Sequence, residues 1–118
     1  MNSITPEKER LQRILITQLG EAFASIQDPE KSRILLNLLL SPTEKERIGK
    51  RLAILKELRR DTSYSKIKES LKVSDNTIAQ MSNALKQSSA KSLRLIDKLI
   101  KTDLLREGKG FEFSRGKK

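Results

Sequence analysis

Between Ser63 and Lys86 the apolar residues fall at two helical spacings separated by one tight turn, and no other stretch limits the possible folds so strongly. Ile67 and Leu71 stand four apart, Val73 lies in the turn, and Ile78, Met81 and Leu85 recur at three and four residues. This spacing predicts two amphipathic helices, about Ser63 to Leu71 and Asp75 to Lys86, locked together by those side chains. Ser74 is placed to cap the second helix. The pattern is that of a helix-turn-helix. What remains outward at the start of its second helix is Asp75, Asn76, Thr77 and Gln80, with Ala79 among them. These are short groups, mostly polar, of a kind that reads base edges in a major groove.

The charge balance points the same way. Twenty-five Lys and Arg against 15 Asp and Glu leave a net charge of +10, so the summed field attracts polyanions. Lys66, Lys68 and Lys86, with Arg59 and Arg60 behind them, flank the polar tip and are candidate phosphate contacts, together with Ser63, Tyr64 and Ser65. Double-stranded DNA is the expected partner. Each assignment has a plainer alternative. Asn76 and Thr77 are also what a helix start prefers, Asp75 stabilises a helix dipole, and the cations form a solvated basic face in many proteins.

The chain has no cysteine and no histidine, which removes zinc fingers, thiolate nucleophiles and the commonest general base. Neither an enzyme, nor a metal site, nor a cofactor is expected. Binding to anionic membranes usually needs an amphipathic helix with Trp or Phe on its apolar face, and this chain has no Trp and three Phe. The most apolar stretch, Ile34 to Leu40, is interrupted by Asn37 and is far shorter than the roughly 20 residues that cross a bilayer. A soluble cytoplasmic protein is expected.

Three prolines each follow a capping residue: Thr5-Pro6, Asp28-Pro29 and Ser41-Pro42. Proline at the first helical position loses nothing by lacking an N–H, so three helix starts are predicted. The third carries a capping box, because Glu44 stands three residues after Ser41. The helices should run about Pro6 to Gln27, Pro29 to Leu40 and Pro42 to Arg60. The first has a stripe of Leu11, Leu15, Leu19, Ala22 and Ile26, and the second is apolar nearly all round and should be buried on several sides. The third is expected to bury Ile48, Leu52, Leu55 and Leu58. A last helix, about Ala90 to Arg106, turns Leu93, Ile96, Leu99, Ile100 and Leu104 inward. Gly20 and Gly49 sit inside helices at a cost of about 1 kcal/mol each, for which close helix packing is the expected compensation.

The chain therefore reads as all-α with six helices, forming a single domain over residues 1–106 with the helix-turn-helix at 63–86. Residues 107–118 are expected to be a flexible basic tail. A chain of 118 residues has little with which to surround so apolar a second helix. That favours an interlocked homodimer, with a compact monomer as the alternative.

The segment Leu36-Asn37-Leu38-Leu39-Leu40-Ser41-Pro42, then Glu44, Arg47, Gly49, Arg51, Glu57-Leu58, Ile78 and Ser82-Asn83-Ala84-Leu85-Lys86, resembles the tryptophan repressor family. The similarity spans about Leu35 to Asp103, with one residue fewer around Asp61-Thr62. The resemblance implies six helices, with the first three and the last intertwined between two protomers and the fourth and fifth forming a DNA-reading head. It also implies transcriptional repression at a pseudo-palindromic operator.

An effector pocket is implied as well, lined by Leu38, Leu40, Ser41, Arg51, Gln80, Met81 and Ala84. In the family an arginine on the third helix pairs with the carboxylate of bound tryptophan, and Arg51 falls there. A second arginine sandwiches the indole, a glycine leaves room beside it and a serine holds the amino group; here those positions read Gln80, Met81 and Ala84. Met81 projects into the space the ligand needs, and Gln80 supplies no cationic stacking face. The effector is thus expected to be absent or something other than tryptophan, and Arg51 to be either an anion contact or a surface cation. A non-specific nucleoid or RNA-binding protein, or a helical protein-interaction module, are the alternatives to a sequence-specific regulator.

Overall fold

The computed structural model describes residues 4–106, which form six helices: α1 Pro6–Ser25, α2 Pro29–Leu39, α3 Pro42–Arg59, α4 Tyr64–Leu71, α5 Asp75–Lys86 and α6 Ala90–Leu105. The fold is all-α, as expected. Each helix begins where the sequence offers an oxygen to its orphan N–H groups. Thr5 Oγ1 accepts from the Lys8 amide at 3.1 Å and Asp28 Oδ1 from that of Glu30 at 3.0 Å. The capping box of α3 is complete: the Ser41 amide donates to Glu44 Oε1 at 2.8 Å, and the Glu44 amide donates to Ser41 Oγ at 3.2 Å. The segment expected as a basic tail, 107–118, lies outside the described residues.

The chain divides into two compact units, Met1–Lys45 and Glu46–Lys118, the division falling within α3. In the first unit neither α1 nor α2 has a buried residue. Leu11, Leu15, Leu19, Ile34, Leu38 and Leu39 are all exposed, Leu38 to 78%. The expectation that α2 would be buried on several sides is not met within one chain. Its apolar residues point in every direction, and no single neighbour covers all of them. The close packing expected at Gly20 and Gly49 is likewise missing, since nothing lies within 4 Å of a Cβ built at either.

The second unit holds the core. Ile54 of α3, Ile67 of α4 and Ile78 of α5 are each wholly buried and pack as one cluster, rimmed by Leu58, Leu71, Val73 and Met81. The expected inward face of α3 is corrected here. Ile48 and Leu52 are 48% and 40% exposed, Leu55 is half-buried, and the residues that α3 buries are Ile54 and Glu57. Two apolar stripes share this helix and meet at Leu58, the expected residue that does pack on the cluster; the helix-turn-helix takes the stripe that contains Ile54. In α6, Ile96 is buried and Leu93, Leu99 and Ile100 are half-buried, whereas Leu104, expected inward, is 45% exposed.

Candidate nucleic-acid interface

The head is assembled from the turn outward. Helix α4 ends at Lys72, whose backbone is left-handed at φ 56° and ψ 55°, and the Lys72 amide closes the helix on the Lys68 carbonyl. A glycine would adopt this conformation freely; a lysine carries a strain of about 1 kcal/mol. The Nζ of Lys50, on α3, donates to the Lys72 carbonyl at 3.3 Å and pairs with Glu46 at 3.1 Å. Lys50 thereby ties the strained turn to the helix beneath it. No periodicity marks this residue as special.

A second anchor lies at the α3–α4 junction. Glu57 is 3% exposed, the one buried charged residue among those described. Its Oε1 accepts from Thr62 Oγ1 at 2.7 Å, its backbone carbonyl accepts from the Thr62 amide at 3.0 Å, and Arg60 stands 3.6 Å from its Oε2. The carboxylate is thus supplied with donors as its burial requires. Asp61 turns the chain here at φ 62°, a conformation aspartate tolerates better than most residues.

Beyond the turn, Ser74 Oγ accepts from the Thr77 amide at 3.1 Å and lies 3.0 Å from Thr77 Oγ1. The Thr77 side chain is therefore part of the helix cap and is half-buried, the structural role weighed for it above. Asn76, Ala79 and Gln80 are exposed, and Asn76 and Gln80 make no side-chain hydrogen bond among the described residues. Asp75 is exposed too, but its Oδ2 lies 3.2 Å from the Nζ of Lys68 on α4.

The basic residues separate into free and engaged groups. Lys66 and Lys86 are exposed, as are Ser65 and Tyr64, the latter to 45%. Ser63 caps α4 by accepting from the Lys66 amide at 3.2 Å. Arg59 is exposed but paired, with Nε 3.0 Å from Asp97 Oδ1 and Nη2 2.7 Å from Asp97 Oδ2 on α6. The hydrogen bonds to Arg59 hold the Asp97 carboxyl below its ordinary range, and those to Asp97 raise the Arg59 guanidinium; partial desolvation opposes both shifts. Lys56 pairs with Asp103 of α6 at 2.7 Å.

The residues expected around an effector fall in both units. Leu38 and Ser41, in the first, are exposed and Leu40 is half-buried. In the second, Arg51, Gln80 and Ala84 are exposed, while Met81 is half-buried against the Ile54–Ile67–Ile78 cluster.

The family model described as Trp repressor protein matches residues 15–100. This chain belongs to the Trp repressor family. No solved structure matches it at a significant level. Membership makes the chain a DNA-binding helix-turn-helix regulator, from a family of regulators rather than enzymes. Within this Trp repressor family member, no described helix is long and apolar enough to cross a membrane.

Proposed function

We propose that this Trp repressor family member is a sequence-specific repressor in the cytoplasm, acting as a homodimer by occupying a pseudo-palindromic operator. The observation that carries the reading is the exposed edge of α5. Asn76, Ala79 and Gln80 stand clear above a sealed isoleucine core, on a helix whose start is fixed by Ser74 and Thr77. Asparagine pairs bidentately with adenine, glutamine does the same, and an alanine methyl packs against thymine. Lys66, Lys68, Lys86 and Arg60, with the hydroxyls of Ser63, Tyr64 and Ser65, supply the phosphate clamp. Arg59, held by Asp97, braces that surface from behind.

Dimerisation is supported by the apolar side chains that α1 and α2 leave uncovered. Two heads related by a two-fold axis would engage half-sites about 34 Å apart. The effector is absent or is not tryptophan. Met81 packs on the head's own core, and Gln80 and Ala84 offer neither a cation nor a hydroxyl to an amino-acid ligand.

Mobility shifts on duplexes selected from a random pool, with and without tryptophan, test the reading. Binding should be unaltered by tryptophan and should favour two-fold related sequences. With the four cations of each protomer neutralising about eight phosphates per dimer, the logarithm of affinity should fall against that of salt with a slope near about −7. Equal affinity for every duplex, or a slope near zero, would defeat the assignment.

A further inference from the structure

We infer that Asp75 and Lys68 act together as a specificity switch, in which Lys68 is released to the DNA backbone only when Asp75 is taken up by an amino group on a base edge. The inference rests on the reading of α5 as a DNA-reading helix. Asp75 is the first residue of α5 and Lys68 lies in the last turn of α4, so their ion pair bridges the two helices across the turn. The separation is 3.2 Å, and the side chains are 72% and 53% exposed. A pair so exposed is held by little free energy and opens readily when a better partner is offered to either member.

The charge at this point gives the pair its consequence. A lone carboxylate on the leading edge of a reading helix repels phosphate, and a lone ammonium attracts any phosphate whatever the sequence beside it. Paired, they cancel. Lys68 then contributes nothing to indiscriminate backbone binding, and a protein of net charge +10 has reason to suppress such binding.

In the major groove the exocyclic amino group of cytosine is the donor that suits an aspartate. Where it is presented, the carboxylate exchanges the Lys68 ammonium for the N4–H, and the freed lysine takes a phosphate. Two favourable contacts then form together where an amino group is presented, and neither forms where the base edge offers only acceptors. A guanine or thymine at that step offers only acceptors, so Asp75 keeps Lys68.

Asp75→Asn and Lys68→Gln test this on the full chain, with a duplex selected by the wild-type protein and a scrambled duplex of equal length. Both residues are exposed, and unchanged circular dichroism and melting temperature confirm that the variants fold. Asp75→Asn should bind the scrambled duplex about fivefold more tightly, as expected for freeing a surface cation. Its salt slope on that duplex should steepen by about 1 per protomer. Combining Asp75→Asn with Lys68→Gln leaves the site neutral, and this double variant should weaken binding to the selected duplex while leaving the scrambled one unchanged. Equal weakening on both duplexes by the double variant, or no change on scrambled DNA with Asp75→Asn alone, would overturn the switch while leaving the DNA-reading assignment intact. Wild-type protein that binds neither duplex would overturn both.

Discussion

Arg59, at the end of α3, grips Asp97 of α6 through two parallel bonds, Nε to Oδ1 at 3.0 Å and Nη2 to Oδ2 at 2.7 Å. This bidentate geometry is the strong form of the arginine–carboxylate pair, and it fixes α6 to α3, against which the helix-turn-helix packs. Lys56 and Asp103 make a second link along the same two helices.

The first prediction concerns acid. Because the hydrogen bonds from Arg59 depress the Asp97 carboxyl below its ordinary value of 3.8, the folded state binds this proton less readily than the unfolded chain. Its contribution is complete above that ordinary value and is lost as the pH falls through the lower, folded one. Urea denaturation of wild type and Asp97→Asn should show a stability gap at neutrality that closes on acidification below 3.8. A gap that stays constant with pH would mean that the pair contributes nothing through its charge.

The second prediction concerns the buried carboxylate. Thr62→Val keeps the shape of the side chain and removes the hydroxyl that donates to Glu57 Oε1 at 2.7 Å. An under-supplied carboxylate that is 3% exposed costs about 1–3 kcal/mol. The loss should appear as a lower urea midpoint with an unchanged denaturant slope. Thr62→Ser retains the donor and should recover most of the stability.

These two anchors also mark how far the sequence alone was legible. Helix starts were readable because capping is local. Ser41 with Glu44 and Ser74 with Thr77 sit three residues apart, and the bounds of α5 are those expected. The exposed tip of α5 followed from the same register. The buried face of α3 was readable only at Leu58, which packs on the core, because Leu58 continues the stripe of Ile48, Leu52 and Leu55 as well as it continues that of Ile54. Periodicity does not say which stripe a chain covers with its own residues. Nor was Arg59 separable from the free cations of the head, since its partner is 38 residues away and nothing local pairs them. Lys50 escaped notice for the same reason, its acceptor being a backbone carbonyl that carries no sequence signal.

The third prediction uses the strained turn. Lys72 occupies the left-handed region at φ 56°, where glycine has no steric cost. Lys72→Gly should raise stability by about 1 kcal/mol, measured by urea denaturation. Its side chain is exposed, so no packing is lost to offset the gain. Destabilisation would mean that the lysine stem holds the turn more strongly than the strain opposes it.

The fourth prediction addresses assembly. Leu11, Leu15 and Leu19 recur at four-residue intervals on α1, and each is at least 42% exposed within one chain. Were that stripe to face water in the working protein, Leu15→Glu would change stability by no more than about 0.5 kcal/mol. In a homodimer that covers it, the same change places a carboxylate in an apolar interface and should break the association. Sedimentation equilibrium is expected to show wild type as a dimer and Leu15→Glu as a monomer. The melting temperature of wild type should also rise with protein concentration, as mass action requires when folding and pairing are coupled. A wild-type melting temperature independent of concentration, together with a stable Leu15→Glu monomer that still binds DNA, would show that one copy suffices.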